Sequence, residues 1–474
     1  MLLSIKSLSW LTLTLPDVFA GASLVFLSLV NITVGERCSR TVFQKFAIVF
    51  MGVCFAITVW CTHWPVDKEF ESKFFTYTVK LTYMKSVAFC FSTIALVLLN
   101  YIKMVIFNNV FYILVFGLIN AITICISANN FLSLVLGLEL YSFSVCFLLL
   151  VQKNGHEQKK NAVRFILTSA IMTAVLLFGI SLYYFQSGCL SFSKINLDSN
   201  IASTLGITMI LAVLLFKVGA PPFHSWMIDM YEKAPVILVF FLDTMWKFFV
   251  VFTIIKIFST IIANDATQYN SVLAIISAAS MIVGGVMPFF EKNIKKFIAY
   301  TSIGHIGFVS TVFVVTNNSQ SMAVILAYLA FYSLASTCFF LSILFLQRHE
   351  VIETFRDVSG LIRRNIPIGL CIFVSLFSMA GFPPFAIFLA KLRIFKLLLE
   401  AENYSLLILA IIYSSMTLLY AVKCLRYLFK AENLKFEKFQ GNNAFFAIQV
   451  FVQLLSVFTY GSVMKKFLWI VTDL

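Results

Sequence analysis

Charged residues are scarce in this 474-residue sequence: Asp, Glu, Lys and Arg make up 12%, whereas hydrophobic residues make up 61%. A water-soluble globule needs a polar surface that this composition cannot supply, so a soluble protein is excluded. The apolar residues form runs of roughly 20, which is the length of a helix that crosses a bilayer. The sequence therefore predicts a polytopic membrane protein without a soluble domain.

Motifs for redox cofactors and nucleotides are also missing. The ten cysteines have neither CxxC spacing nor a disulfide framework, and no GxGxxG motif follows a strand. The chain is therefore expected to carry no flavin, iron–sulfur cluster, metal or nucleotide of its own. The cysteines are interpreted as small hydrophobic residues.

The N-terminus lacks an arginine-rich transit segment and a small-residue cleavage site, so we expect it to be retained. Proline is rare, with nine residues, whereas phenylalanine occurs 53 times. This bias is typical of an AT-rich genome and favours a mitochondrial gene product of the inner membrane. A protein of the bacterial plasma membrane is the alternative.

Hydropathy predicts fourteen membrane-spanning helices. They are expected at 14–34, 43–61, 86–104, 109–127, 131–151, 162–186, 201–219, 234–258, 269–289, 296–315, 321–346, 367–399 with an internal break, 404–427 and 443–463.

The net charge of +14 is interpreted as a topology signal rather than as a nucleic-acid surface. Most lysines and arginines follow odd-numbered helices, which places those loops on the inner side of the membrane. Lys80 and Lys85 are among the few assigned to the opposite side. Both termini are therefore expected on the intermembrane or periplasmic side, and nucleic acid is not expected as a partner.

A short motif occurs twice, as GAPPF at 219–223 and as GFPPF at 381–385. Lys217 precedes the first copy and Lys391 follows the second. Proline breaks a helix, and at membrane depth a break persists only where protein or water satisfies the freed backbone groups. Two such breaks in two halves of a chain indicate a transport site. The alternative is that each motif merely turns the chain at a membrane surface.

Among the charged residues inside predicted spans, four are singled out as costly to insert: Glu139, Lys217, Lys247 and Lys391. Each costs at least about 2.5 kcal/mol on insertion scales, so a function is expected for them. Snorkelling to the interface is a plausible alternative for Lys217 and a poor one for Glu139 and Lys247. Buried acids and amines whose separation changes can exchange protons, which is the chemistry of a proton relay.

Three further residues are candidates for supporting roles. Asp243 lies four residues before Lys247, on the same helical face, and is expected to pair with it. His305 is a possible linker of the relay, and a histidine held by a neighbouring hydroxyl or carbonyl is the alternative. Asp17 follows Pro16 and is interpreted as the start of a helix near the membrane surface.

Four stretches resemble the antiporter-like membrane subunits of respiratory complex I, most closely the subunit 2 (subunit N) family. GLELYSF (137–143) resembles the glutamate motif of that family. FKVGAPPFHSWMIDMYEKAP (216–235) is similar to its Lys-Gly-Pro-Phe-His-Trp loop. KKFIAYTSIGHIGF (295–308) resembles its Tyr-Ser-His helix, and the segment from DVSGLIRRNIPIGL to SMAGFPPFAIFLAKLRIF (357–395) resembles its broken twelfth helix.

The resemblance implies an all-α polytopic membrane protein with two inverted five-helix repeats, each with one broken helix. Residues 1–104 would form helices 1–3, 105–260 the first repeat (helices 4–8), 265–430 the second (helices 9–13) and 431–474 helix 14. It also implies that Glu139, Lys217, Lys247 and Lys391 form the proton path, with His305 as the linker. Asp243 departs from the family pattern, which has a small hydroxyl residue there, so it is a possible modulator of Lys247.

The function implied is proton translocation within NADH:ubiquinone oxidoreductase, driven by quinone reduction elsewhere. Flavin, iron–sulfur clusters and quinone would then lie on partner subunits, and the partners would be other membrane-arm subunits, including antiporter-like neighbours, together with lipids and protons. An Mrp-type cation/proton antiporter subunit is one alternative. A structural spacer without an active path is the other, although a spacer would gain stability by losing its intramembrane charges.

Overall fold

The computed structural model of the chain describes residues 2–34, 40–63, 70–101, 108–151, 156–192, 201–262, 269–315, 318–348, 351–430 and 443–472. Within these ranges nearly all residues are helical. Several loop cations that support the predicted orientation lie outside the described residues, namely Arg37, Lys68, Lys103, Lys153, Lys194, Lys435 and Lys438. The orientation in the membrane stays a prediction.

The fourteen predicted spans are confirmed as helices. Among the described residues, twelve helices are long and apolar enough to cross a membrane, and two shorter apolar helices end at Lys217 and Ala380. The helix that ends at Ala380 is the first half of the broken span predicted at 367–399.

The chain divides into two compact units, of which the first comprises residues 1–213 and 252–264. Its elements are α1 (Leu2–Val34), α2 (Arg40–His63), β1 (Phe70–Glu71), β2 (Thr76–Tyr77), α3 (Val79–Tyr101), α4 (Asn109–Ser127), α5 (Phe131–Leu150), α6 (His156–Ser187), most of α7 (Ile201–Lys217) and the second part of α10 (Lys247–Ile262). The strands form an antiparallel hairpin in which Phe70 pairs with Tyr77.

The second unit comprises residues 214–251 and 265–474. It contains the end of α7, α8 (Ser225–Lys233), α9 (Val236–Phe240), a π-helical turn (Phe241–Trp246), the start of α10, α11 (Asn270–Val286), a 3₁₀ turn (Met287–Phe289), α12 (Ile294–Val315), α13 (Ser319–Gln347), α14 (Leu361–Arg364), α15 (Ile366–Ala380), α16 (Ala386–Glu400), α17 (Tyr404–Phe429) and α18 (Asn443–Val471).

Helices α12 and α13 form the interior of the second unit. In the most apolar stretch of each helix 89% of the residues are buried, compared with 39% in α17. Glycine allows α12 to approach its neighbours closely. A methyl group on Gly307 would lie 2.9 Å from the backbone nitrogen of Met281 in α11, and one on Gly304 would lie 2.7 Å from the Tyr413 hydroxyl in α17. Such close packing of helices in a membrane relies on small residues at the contact.

Two expectations for the N-terminal region are wrong. Asp17 does not start a helix, because α1 runs without interruption from Leu2 through Pro16 to Val34. Lys85 does not lie in a loop before the third span, because α3 begins at Val79. Both residues are thus placed within helices, where a charge needs a partner.

Candidate functional site

The first helix break follows Lys217, which is the last residue of α7 and is 2% exposed. Gly219 has a φ of 83°, and the amide of Ala220 donates to the carbonyl of Leu215 at 2.9 Å. This is a left-handed glycine cap, which only a residue without a Cβ adopts at low cost. Because Lys217 is buried, snorkelling to a surface does not explain it.

Two indoles satisfy the carbonyls at the end of α7. Trp226 Nε1 donates to the carbonyl of Phe216 at 3.2 Å, and Trp246 Nε1 donates to the carbonyl of Lys217 at 3.0 Å. Between the break and α8, burial lowers the pKa of His224, although the carbonyl of Pro222 opposes this shift. His224 is therefore neutral near pH 7.

The second break has the same local geometry as the first. Gly381 has a φ of 72°, and the amide of Phe382 donates to the carbonyl of Phe377 at 3.1 Å. The break separates α15 from α16, so this copy of the motif interrupts a span. Both copies of the motif recognised in the sequence thus have the same local backbone conformation, whereas the two five-helix repeats stay a prediction.

Lys391 of α16 folds back onto this second break. Its Nζ donates to the carbonyl of Ala380 at 2.8 Å and to Thr417 Oγ1 of α17 at 3.1 Å. A methyl group on Gly381 would lie 2.9 Å from Cδ and Cε of Lys391, so the glycine also provides space for the lysine. A carbonyl freed at the helix break thus binds the ammonium of Lys391.

The expected i,i+4 pair is present: Lys247 Nζ lies 3.0 Å from Asp243 Oδ1. Both side chains are buried, with at most 4% of either exposed. Lys247 also donates to Ser302 Oγ of α12, and its Nζ lies 5.2 Å from the centre of the Tyr231 ring. The second oxygen of Asp243 accepts a hydrogen bond of 3.0 Å from Tyr332 of α13.

A π-helical turn at Phe241–Trp246 immediately precedes Lys247. Such turns are rare and occur frequently at functional sites. Here the turn contains Asp243, so the irregular segment carries the acid of the buried pair.

His305 lies at the centre of a group of tyrosines. Its Nδ1 is 2.7 Å from the Tyr328 hydroxyl, and its ring centre is 4.7 Å from that of Tyr332 and 5.9 Å from that of Tyr413. The Nζ of Lys391 in turn lies 5.8 Å from the centre of the Tyr413 ring. His305 therefore has the hydroxyl partner expected if it is simply held by a neighbouring side chain. It also lies between Lys247 and Lys391, as expected for a linker.

A narrow pocket separates the ion pair from the histidine. The polar residues that line it are Asp243, Thr244, Lys247, Ser302, His305 and Tyr332. The gaps in this pocket are too small for a water molecule.

Glu139 belongs to the first unit, where an Asn130–Ser133 capping box starts α5. Gly137 lets α5 approach α4, because a methyl group there would lie 3.2 Å from the carbonyl of Ala121. Glu139 is only partly buried, and its Oε1 is hydrogen-bonded to the hydroxyl of Thr173 in α6.

The second unit thus brings together Asp243, Lys247, His305 and Lys391. The remaining predicted site residue of this unit is Lys217, whose carbonyl accepts from Trp246, the residue before Lys247. Glu139 lies in the other unit, and the roles of all these residues stay predictions.

Sequence reasoning missed several residues that contact the site. They are Tyr328, Tyr332, Tyr413, Ser302, Thr417 and Thr173. Each is a hydroxyl residue on an apolar helix, which gives no signal by itself, because such residues usually bond to their own backbone. Lys256 was also missed, although a lysine inside the apolar run 247–262 was a visible signal.

A family profile described as "NADH:quinone oxidoreductase/Mrp antiporter, TM" matches residues 128–417, more than half of the chain. The subunit N of NADH-quinone oxidoreductase from Pelagibacter ubique is 28% identical over 427 residues, which cover 88% of this chain and 89% of the relative. The corresponding subunit of Paramagnetospirillum magneticum is 30% identical, with coverage of 70% and 71%.

Solved structures share the fold. A chain of respiratory complex I from Thermus thermophilus aligns with a TM-score of 0.79 at 20% identity, covering 95% of this chain and 98% of that one. A chain of the Mrp complex from Dietzia sp. aligns with a TM-score of 0.85 at 16% identity, with coverage of 98% and 97%. The chain is a multi-pass membrane protein that belongs to the NADH:quinone oxidoreductase/Mrp antiporter family, among the relatives of NADH-quinone oxidoreductase subunit N.

Proposed function

We propose that this chain is a proton-translocating membrane-arm subunit of NADH:quinone oxidoreductase. One observation carries the proposal. A series of close contacts runs through the interior of the second unit from Lys247 to Lys391, through Asp243, Tyr332 and His305 and on through Tyr413. Buried ionisable groups in membrane helices are costly, and they mark ion and proton pathways.

Lys247 is the first proton carrier in this series. Its ammonium has an acid, Asp243, and a hydroxyl, Ser302, within hydrogen-bond reach, so it can lose a proton without leaving an orphaned group. Tyr332 holds the other oxygen of Asp243 and therefore fixes the carboxylate on the lysine.

His305 is the acceptor between the two lysines, because a neutral imidazole can take a proton on one nitrogen and lose one from the other. The narrow pocket sets a condition for this step. We propose that a bridging water carries the proton from the ion pair to the ring, so that a small movement of α10, α12 or α13 that widens the pocket would open the path.

Glu139 and Lys217 are proposed as the remaining members of the path. The Thr173 hydroxyl has one proton and two acceptors within reach, Glu139 Oε1 and the carbonyl of Ser169. It donates to Glu139 when the acid is ionised, and it can turn to Ser169 and accept from Glu139 when the acid is protonated. Thr173 thus accommodates both states of the carboxyl group.

The partners we propose are the other membrane-arm subunits, including antiporter-like neighbours, and the flavin, iron–sulfur clusters and quinone belong to partner subunits. The phenylalanine-rich composition supports the mitochondrial inner membrane. The relatives reported above are bacterial, so they support the plasma membrane of a bacterium instead.

An Mrp-type antiporter subunit is the second candidate, because the matching family profile includes Mrp antiporters as well. Both structural likenesses are below 25% identity and concern the fold alone. The relatives named NADH-quinone oxidoreductase subunit N extend over most of this chain and favour complex I. Co-purification with NADH:quinone reductase activity distinguishes the two candidates.

The test is Lys391→Met in the assembled complex, with Lys396→Met as the matched control. Both lysines lie on α16, but the Lys396 side chain is 75% exposed and paired with Glu400, whereas Lys391 is 1% exposed. We expect Lys391→Met to reduce the number of protons pumped per electron while Lys396→Met leaves it unchanged. Wild-type pumping by a fully assembled Lys391→Met complex would refute the relay.

A further inference from the structure

The segment between α13 and α15 is rich in arginine. Four of the nine arginines of the chain fall within residues 348–364, and this stretch contains no lysine. They form what we call the arginine cluster: Arg348, Arg356, Arg363 and Arg364. A preference for positive charge in inner loops explains a surplus of either basic residue. The exclusive use of arginine instead favours an oxyanion as ligand, because the planar guanidinium donates two parallel hydrogen bonds to a phosphate.

The arginine cluster borders one partly open pocket of the second unit. Arg364 lines this pocket, together with Leu346 at the end of α13 and Asp357 in the following loop. Arg348 lies two residues after Leu346, and Arg356 directly precedes Asp357. The cluster therefore occupies one end of the unit, where α13 ends and α15 begins.

Three members of the cluster are accessible to a ligand. Arg348, Arg356 and Arg363 are exposed, and none of them forms an ion pair with a described residue. Arg364 is half-buried at the pocket. An anion that binds at the pocket can thus contact exposed guanidinium groups without breaking an existing ion pair.

The described acids of this segment interact with other groups. Asp357 Oδ2 accepts from the backbone amides of Glu353 and Thr354 at 3.0 and 2.7 Å. The carboxylate of Glu353 interacts electrostatically with Lys295 of α12. Glu350 lies outside the described residues. The two described carboxylates are therefore held by the loop itself and by α12, and the positive charge of the arginine cluster is left for a ligand.

An apolar stripe on α15 leads away from the cluster. Ile366 is 60% exposed and Leu370 is 40% exposed, whereas Phe373 and Phe377 are half-buried with ring centres 4.6 Å apart. The spacing of these four residues places them on one face of the helix. The stripe is about 16 Å long at a rise of roughly 1.5 Å per residue. It offers a continuous apolar surface that begins two residues after Arg364.

We propose that the arginine cluster binds the headgroup of an anionic phospholipid, and that an acyl chain of this lipid lies along the apolar stripe of α15. One molecule then accounts for both features. The phosphate matches the guanidinium groups, and the chain covers the stripe, which a free phosphate would leave uncovered. Basic pockets between membrane helices bind phospholipid headgroups of this kind. The lipid holds the start of α15, the helix that ends at the second break.

The experiment titrates the assembled complex with a phosphatidylglycerol probe that carries a photoactivatable group on its acyl chain. A phosphatidylcholine probe with the same chain is the comparison, because its choline cation is repelled by the arginines. Cross-linked residues are located by mass spectrometry. We expect the phosphatidylglycerol probe to label the stripe, at Ile366, Leu370 or Phe373, with the higher affinity. Unlabelled phosphatidylglycerol should compete, and inorganic phosphate should not.

Arg363→Gln/Arg364→Gln should weaken the apparent affinity for the phosphatidylglycerol probe roughly 30-fold, because each arginine at a membrane surface contributes a factor of about five. Arg393→Gln is the matched control. Arg393 is an exposed arginine of the same unit, on α16, and its guanidinium carbon lies 5.7 Å from the ring centre of Tyr460. This control should keep the wild-type affinity.

Two further variants keep the test decisive. Arg363→Lys/Arg364→Lys retains the charge but not the planar fork, so it should bind the probe more weakly than the wild type and more tightly than the glutamine variant. If replacement of the half-buried Arg364 prevents assembly, Arg348→Gln/Arg356→Gln takes its place. Both of these arginines are exposed, and the same roughly 30-fold loss is expected.

Four results would overturn the proposal. They are equal labelling by the two probes, wild-type affinity in an assembled glutamine variant, competition by inorganic phosphate, and protein cross-links that place an acidic segment of a neighbouring subunit on the arginine cluster. The site does not depend on the proposed relay. Lys391→Met should therefore lose pumping and keep the labelling of α15, so the two proposals can fail separately.

Discussion

Alanine substitution of the two cap glycines separates the role of Lys391 from the stability of the breaks. Gly381 and Gly219 have nearly the same backbone conformation, with φ of 72° and 83°. A side chain in this region costs roughly 1–2 kcal/mol, so both substitutions should destabilise the fold by a similar amount. They differ in what the new methyl group contacts.

The methyl group of Gly381→Ala would lie 2.9 Å from Cδ and Cε of Lys391 and 3.2 Å from its Nζ. The lysine would have to move away from the carbonyl of Ala380, to which it donates at 2.8 Å. A hydrogen bond from a charged donor contributes about 1.5–3 kcal/mol, which corresponds to a roughly 10- to 150-fold loss of the bound position. In Gly219→Ala the methyl group would instead meet the flexible end of Met227, with Sδ at 2.6 Å.

The assay compares thermal unfolding with protons pumped per electron for the two variants in the assembled complex. We expect similar losses of thermal stability, but a much larger loss of pumping in Gly381→Ala. Equal pumping by the two variants would show that the position of Lys391 at the end of α15 is irrelevant to transport, and the reasoning would be wrong.

Three further outcomes are expected. Asp243→Asn should destabilise the complex by about 3–5 kcal/mol in thermal unfolding, because it leaves the buried ammonium of Lys247 without its counter-ion; recovery in Asp243→Asn/Lys247→Met would confirm this cause, and a wild-type unfolding temperature in the single variant would contradict it. Lys217→Arg should assemble but turn over poorly, since arginine keeps its charge and cannot deprotonate; wild-type pumping by this variant would exclude Lys217 as a carrier. A membrane-impermeant amine reagent should fail to label Lys159 and Lys160 from the outer face of sealed vesicles, and labelling there would reverse the predicted orientation.

The helices could be predicted from the sequence because hydropathy and span length are local properties. The Asp243–Lys247 pair could be predicted for the same reason, since a spacing of four places two residues on one face of a helix. The breaks at residues 219 and 381 followed from Gly and Pro, whose backbone preferences hold in any context.

The partners of these groups could not be predicted, because they come from elements distant in sequence. Tyr332 lies 89 residues after Asp243, and nothing in its own helix marks it as a ligand of a carboxylate. The buried ion pair in which Lys85 Nζ lies 2.6 Å from Asp17 Oδ2 was missed for a different reason: the lysines near the start of α3 lowered the local hydropathy, so the predicted span began at residue 86, just after Lys85. A charge within a helix was thereby misread as a charge in a loop.

The two breaks share a property that a titrating lysine requires. At the end of α7 the carbonyls of Phe216 and Lys217 accept from indole nitrogens, which donate whether or not the lysine is charged. At the end of α15 the carbonyl of Ala380 accepts from Lys391, and Thr417 Oγ1 also lies 3.0 Å from it. If Lys391 lost its proton, the carbonyl of Ala380 would therefore still have a donor in Thr417. Without any donor, this buried carbonyl would cost about 1–3 kcal/mol. Each helix end is satisfied independently of its lysine, so each lysine can change its charge without unfolding the break beside it.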